Sequence, residues 1–196
     1  MAGRNLAEAA RLAAEYGDGE LRLATDQNLV LTGVPAGRLD ALLAEPLLEE
    51  HSPAPGPFER GVVACTGSEF CRFAIVETKA RAAGWARELD RRLGPDGWSS
   101  ASQAPGRDGL PIVRMHYSGC SASCAQPQIA DVGFRGETAH RGDAIVEGVD
   151  IGLGGSLGHD AAFIDWVEGS KPVDEVPEAL VRLYERYATE HREGER

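Results

Sequence analysis

The pattern of apolar and polar positions divides the first 45 residues into a helix, two strands and a second helix. Residues 5–16 (NLAEAARLAAEY) repeat apolar side chains at helical spacing. Apolar and polar residues alternate in 20–25 (ELRLAT) and in 28–34 (NLVLTGV), which predicts two strands joined by a short turn. Residues 36–45 (AGRLDALLAE) return to helical spacing. This order is typical of half of a ferredoxin-like sandwich.

A proline-rich segment separates this first part from the rest of the chain. Residues 51–60 (HSPAPGPFER) hold three prolines and one glycine, a composition that favours a linker over a helix or strand. We therefore predict two domains, one over residues 1–52 and one over residues 53–196.

The second part mixes short apolar runs with two longer helical patterns. In chain order, the pattern predicts a strand at 61–64 (GVVA), a helix at 71–93, a polar glycine-rich loop at 94–109, a strand at 111–117 (PIVRMHY), strands at 128–136 and 144–153 joined by a polar connection at 136–143, and a final helix at 173–187. Helices and strands in this mixture indicate an α+β protein.

Cysteine occurs at only four positions, in two close pairs that each follow a predicted strand. Five residues separate Cys65 from Cys71, and three separate Cys120 from Cys124. Small residues surround both pairs, so the backbone can approach a bulky group and its N–H groups can bond to sulfur. Four thiolates gathered at one point indicate a metal site, for which an iron–sulfur cluster, zinc and, in an oxidising compartment, disulfides are the alternatives.

Composition limits the cellular location and the partners that we expect for such a site. The N-terminal residues carry no apolar signal segment, from which we expect a reducing, cytoplasmic location. No run of 18 apolar residues is present, so we expect no membrane span. The net charge of −11 argues against a nucleic-acid partner, which requires a basic surface.

The surroundings of the cysteines match a known pattern. The stretch ACTGSEFC precedes AIVETKARA, and RMHYSGC is followed by three residues and a second cysteine. Six residues later come Asp131, Val132, Gly133 and Phe134, an acidic residue followed by a hydrophobe, glycine and a hydrophobe. These motifs resemble the C-terminal half of the siroheme-dependent nitrite and sulfite reductases. LRLATDQNLVLTGVP resembles that family's ferredoxin-like half-repeat, and GVDIGLGGSLG resembles its C-terminal part.

The resemblance implies a fold, cofactors and roles for particular residues. It implies a ferredoxin-like half-domain followed by an α/β domain that binds a cluster and siroheme. The four cysteines would hold a 4Fe-4S cluster, and Cys124 would also bridge to the siroheme iron. Thr25, Gln27 and Asn28 would approach the siroheme. The implied reaction is the reduction of a small anion, nitrite ahead of sulfite, with electrons from a donor such as ferredoxin.

Two departures from the family pattern limit what the resemblance implies. Ser121 and Ala122 stand where the family commonly has Pro-Asn, which changes the turn but keeps the ligand spacing. The family's first half-repeat carries the Arg and Lys residues that grip the anion, and it has no counterpart here. We therefore expect a cofactor-binding half that needs an N-terminal half or a partner chain for full activity, and we assign no catalytic residue in this chain.

Two other functions fit the same residues. One is a non-catalytic electron-transfer module, and the other is a corrin-biosynthesis relative similar to precorrin-3B synthase. For an acidic donor such as ferredoxin, the basic residues of the helix predicted at 71–93 are the candidate docking groups: Lys79, Arg81, Arg91 and Arg92.

Overall fold

The computed structural model describes residues 3–93, 112–159 and 161–190, with side chains described to residue 186. The loop predicted at 94–109 and the first residue of the strand predicted at 111–117 lie outside this range. The chain divides into two compact units, residues 1–55 and residues 56–196. The domain bounds predicted from sequence, 1–52 and 53–196, stay a prediction.

The first unit is a small helical layer with a two-stranded sheet. Its elements are α1 (Gly3–Tyr16), β1 (Leu21–Leu23), β2 (Leu29–Leu31), α2 (Leu39–Leu43) and α3 (Pro46–Glu50). The strands pair antiparallel, with Leu21 opposite Leu31. Its buried core includes Ala9, Leu12, Tyr16, Leu42 and Leu47.

The helix predicted at 36–45 is in fact interrupted. A 3₁₀ turn at Ala36–Arg38 precedes α2, which ends at Leu43, and α3 begins at Pro46. Proline lacks a backbone N–H and disfavours helical geometry in the residue before it. Pro46 therefore starts a new helix instead of extending the first one.

The second unit is a five-stranded sheet packed against helices. Its elements are α4 (Pro57–Arg60), β3 (Val62–Ala64), α5 (Lys79–Leu93), β4 (Met115–Ser118), β5 (Val132–Arg141), β6 (Ala144–Leu153), β7 (Asp165–Pro172) and α6 (Val176–Glu190). The strand order is β3-β4-β5-β6-β7. β3, β4 and β5 are parallel to one another, while β6 and β7 continue antiparallel.

The core of the second unit lies where α5 and α6 cover the sheet. Trp85 of α5 stacks on Tyr117 of β4, with 5.1 Å between ring centroids, and also contacts Phe134 of β5. Phe58 meets Tyr184 of α6 edge-on at 5.1 Å. These aromatic contacts fix the helices over the parallel strands.

Two sequence-based element assignments in this unit are wrong, and one strand was missed. The helix predicted from Cys71 begins only at Lys79, because the backbone before it bonds to the neighbouring loop. The polar connection predicted at 136–143 is mostly strand, since β5 runs to Arg141 and turns at Gly142, whose φ is +60°. β7 carries no apolar alternation and was not predicted.

Candidate metal centre

Both cysteine pairs begin at the same edge of the sheet. Cys65 directly follows β3, and Cys120 comes two residues after β4. Since β3 and β4 are neighbouring parallel strands, their carboxyl ends lie side by side. Loops at this edge of a parallel sheet are the usual place for a binding site.

The two cysteine loops are in direct contact. The Gly119 N–H donates a hydrogen bond to Cys65 Sγ at 3.1 Å. The carbonyl of the same glycine accepts a bond from the Ile75 N–H at 2.8 Å. One residue of the second loop is thus held by two residues of the first, and its N–H points at a cysteine sulfur.

Glycine is required at two positions of this contact. A Cβ on Gly67 would lie 2.7 Å from Thr78 Oγ1, and its φ of +73° is unfavourable for other residues. A Cβ on Gly119 would lie 2.9 Å from the Ala74 Cβ. The small residues around the cysteines therefore allow the two loops to approach each other closely.

Tight turns hold the other three cysteines. The Cys71 N–H donates to the Gly67 carbonyl at 3.0 Å, and the Cys120 carbonyl accepts from the Ser123 N–H at 3.3 Å. Ser123 has a φ of +59°, an uncommon conformation for a residue other than glycine. Cys124 follows it and is the only one of the four that is exposed, the others being half-buried.

The residues present fit an iron–sulfur cluster in donor chemistry and in loop placement. All four cysteines are free, and both loops meet at one sheet edge. Within the described ranges, no three His, Cys, Asp or Glu side chains form a group that could hold a metal ion. A cluster binds each cysteine through a different iron atom, so its ligands stand farther apart than those of a single ion.

Family models cover nearly the whole chain. Residues 2–48 match the nitrite/sulfite reductase ferredoxin-like half domain. Residues 56–196 match the nitrite and sulphite reductase 4Fe-4S domain. The chain belongs to the nitrite and sulfite reductase family. The resemblance inferred from the cysteine motifs and the predicted fold class are confirmed.

Individual relatives agree with this family. The chain is 44% identical over 188 residues to the assimilatory ferredoxin-dependent nitrite reductase of Haloferax mediterranei, covering 96% of this chain and 30% of the relative. It is 48% identical over 192 residues to the chloroplastic ferredoxin–nitrite reductase of Zea mays, covering 96% and 31%. The chain therefore spans about a third of the length of these relatives.

Solved structures show the same fold. The Mycobacterium tuberculosis NirA protein superposes with a TM-score of 0.85 at 32% identity, covering 100% of this chain and 35% of that one. Dissimilatory sulfite reductase I superposes with a TM-score of 0.65, covering 98% of this chain and 61% of that one. At 13% identity the second match shows the fold alone.

Three exposed apolar residues lie close to Cys71 in the sequence of this nitrite and sulfite reductase family member. Phe70 and Phe73 are 77% and 78% exposed, and Ile75 is 47% exposed. Exposed apolar residues close together on a loop can form a place where a ligand or another protein surface binds. We call these three residues the apolar rim.

The predicted siroheme contacts lie on the first unit. Thr25, Gln27 and Asn28 occupy the turn between β1 and β2, and all three side chains are exposed. The turn is closed by a hydrogen bond from the Ala24 N–H to the Asn28 carbonyl at 3.0 Å, and Gln27 has a φ of +65°. Their contact with siroheme stays a prediction.

The four basic residues predicted to dock an acidic donor are bonded within the protein. Lys79 Nζ donates to the Ala64 carbonyl, and the three arginines pair with carboxylates: Arg81 with Glu147 at 2.7 Å, Arg91 with Glu88 at 2.6 Å and Arg92 with Glu178 at 2.9 Å. A basic docking surface on α5 stays a prediction, and its charges are already partly compensated.

His116, on β4, lies against the backbone that follows the second cysteine pair. Its Nδ1 lies 3.1 Å from the Gln126 carbonyl. Burial lowers the pKa of His116 below its usual value, opposed by the carbonyls of Gln126 and Ala125.

Sequence reasoning missed Thr78, a buried residue in contact with Cys65, because a threonine before a helix is common as a simple cap.

Proposed function

We propose that this chain carries the electron-transfer core of a nitrite or sulfite reductase. In this proposal, electrons from a donor such as ferredoxin pass through a 4Fe-4S cluster to siroheme for the reduction of a small anion, nitrite ahead of sulfite. The observation that carries the proposal is the hydrogen bond from the Gly119 N–H to Cys65 Sγ, which joins the two loops that carry the cysteine pairs.

The four cysteines are the proposed cluster ligands. Cys65 and Cys71 come from one loop, Cys120 and Cys124 from the neighbouring one. Cys124 is the proposed shared ligand of the cluster and the siroheme iron, and its exposure leaves its sulfur accessible for a second cofactor. When bound, the two cofactors supply one-electron transfer and an iron on which the anion is reduced.

The apolar rim supports siroheme as the second cofactor. A tetrapyrrole offers a broad apolar face, and covering two exposed phenylalanines would remove their cost in water. Thr25, Gln27 and Asn28 are proposed as further siroheme contacts from the first unit. Each offers a side-chain donor or acceptor for the polar groups of the cofactor.

Substrate, donor and location are inferred from relatives and composition. Relatives named ferredoxin-dependent nitrite reductase support nitrite and ferredoxin. Because the chain spans about a third of those relatives, we propose that the groups holding the anion come from a first half-repeat outside these residues. None of the described helices is long and apolar enough to cross a membrane. A cytoplasmic location is part of the proposal.

The cluster assignment is tested by anaerobic reconstitution with iron and sulfide. We expect about four irons and four sulfides per chain with a broad absorbance band in the blue, as the Cys₄ cluster type requires. Replacing Cys71 with serine is expected to remove most of this iron, whereas Ser121→Ala in the neighbouring loop should leave it unchanged. A colourless chain that binds one zinc ion would overturn the redox function.

The siroheme assignment has its own test. After addition of siroheme to the cluster-loaded chain, we expect sharp bands in the red region and a tetrapyrrole extractable into acid acetone. Phe73→Ser should weaken siroheme retention by about ten- to a hundredfold, since burying a phenylalanine contributes about 1.5–3 kcal/mol. Ile145→Ser, which changes an apolar residue of similar exposure on β6, is the control. Equal retention by both variants would refute the role of the rim.

A further inference from the structure

Thr78 lies beneath Cys65 and is completely buried. Its side chain is 0% exposed, directly before the first residue of α5. The Thr78 hydroxyl donates a hydrogen bond to the Cys65 carbonyl at 2.7 Å, and its oxygen lies 3.9 Å from Cys65 Sγ. This contact joins the start of a helix to a proposed cluster ligand.

The N–H groups of Ala80 and Arg81 in the first helical turn do not depend on the Thr78 hydroxyl. A threonine at a helix start normally accepts a bond from a free N–H of the first turn. Here the Glu77 carboxylate accepts both the Ala80 N–H at 3.0 Å and the Arg81 N–H at 3.1 Å. Since the neighbouring glutamate caps the helix, the hydroxyl of Thr78 is available for Cys65.

Thr78 also touches the second cysteine loop. A Cβ built on Gly119 would lie 3.3 Å from the Thr78 methyl group, and a Cβ built on Gly67 would lie 2.7 Å from its hydroxyl. The Thr78 side chain therefore lies between the two loops, with its hydroxyl toward the first and its methyl group toward the second.

We propose that Thr78 is a positioning residue that holds Cys65 Sγ against the Gly119 N–H and so sets the reduction potential of the cluster. This inference rests on the proposed cluster. Reduction adds negative charge to the cluster and its thiolates, and a hydrogen bond to a thiolate stabilises that charge. By holding the Cys65 carbonyl, Thr78 fixes the backbone from which the Cys65 side chain leaves and so keeps this bond short.

The test compares cluster potentials in reconstituted full-length chains, measured by titration with dithionite and followed by absorbance and electron paramagnetic resonance. In Thr78→Val, which keeps the shape and removes the hydroxyl, we expect the ratio of reduced to oxidised cluster at a fixed potential to fall about tenfold. That change equals a shift of about 59 mV to more negative potential for one electron. Thr78→Ser keeps the hydroxyl and should stay near wild type.

Controls separate this inference from the proposed function. Thr138→Val makes the same change at an exposed site on β5 and should leave the potential unaltered. If the wild-type chain takes up no iron and sulfide, the proposed function fails. If it takes them up and Thr78→Val has the wild-type potential, only the role of Thr78 is overturned.

A second pair of variants covers the case in which Thr78→Val does not fold. Thr78→Ser and Thr78→Ala both lack the methyl group, and they differ only by the hydroxyl. The more negative potential is expected for Thr78→Ala alone. Equal potentials in these two variants would refute the inference as firmly as an unchanged Thr78→Val.

Discussion

Replacing Gly119 with alanine should force the two cysteine loops apart. The added methyl group would lie 2.9 Å from the Ala74 Cβ, 3.1 Å from the Val76 carbonyl oxygen and 3.3 Å from the Thr78 methyl group. The Ala74 methyl cannot rotate away, because it is attached directly to its backbone. Relief therefore requires movement of a loop, and the Gly119 hydrogen bond to Cys65 Sγ lengthens with it.

The size of this effect follows from the crowding. Adding a methylene to a well-packed site costs about 1–3 kcal/mol of unfolding free energy. A loss of about 2 kcal/mol corresponds to a fall in melting temperature of about 4–8 °C for a protein of 150–250 residues. Because the loops carry the proposed ligands, iron retained after reconstitution should fall with stability.

Thermal unfolding of the metal-free chain, followed by circular dichroism, measures the cost directly. Gly84→Ala is the matched control, because a Cβ on this exposed residue of α5 meets nothing within 4 Å. Alanine in a helix interior is favoured over glycine by about 1 kcal/mol, so the control should be slightly stabilised. If Gly119→Ala melts with wild type or above it, the loops are not packed as described.

Other predictions concern single contacts. Asp90→Ala should lower the unfolding free energy in urea by about 1–2 kcal/mol, because the carboxylate accepts the Phe58 and Glu59 N–H groups of α4; no loss would contradict this. Burial raises the pKa of Tyr117, so stability should fall above about pH 10 and fall less in Tyr117→Phe. The pKa of His116 is lowered, so stability present above about pH 6.5 should be lost on acidification, and His116→Asn should flatten this loss.

Much of the fold near the site follows from local sequence patterns. The short apolar runs before Cys65 and before Cys120 predicted strands at both places, and β3 and β4 are found there. The helical repeat near the end of the chain predicted α6, displaced by a short 3₁₀ turn at Val173–Glu175. These patterns predict the elements because each element buries one face against a single core.

The errors arise where contacts distant in sequence decide the backbone conformation. Residues 71–78 continue the helical spacing of α5, yet the Ile75 N–H bonds to the Gly119 carbonyl of the next loop. β7 has no alternation because most of its residues are exposed, and its edge position tolerates Gly169, Ser170 and Pro172. Neither the bond from Ile75 to Gly119 nor the edge position of β7 leaves a signal in the local sequence.

Only part of the site could be predicted from the sequence. Spacing and surroundings singled out the four cysteines as candidates, since cysteine occurs nowhere else. The roles of Thr78 and Gly119 depend on how the two loops pack. In the sequence, one resembles any helix-capping threonine and the other any small residue near a cofactor.

Parallel pairing of β3 and β4 is the feature that brings the two loops together. Ala64 pairs with Tyr117, so Cys65 and Gly119 both lie just past the last paired residues. If the strands were antiparallel, the two loops would leave from opposite ends of the strand pair. The four residues of β4, at about 3.3 Å each, would then separate the loops by about 13 Å. No bond from the Gly119 N–H to Cys65 Sγ could then form. The crossover through α5, which makes the pairing parallel, is thus as necessary to the proposed metal centre as the cysteines.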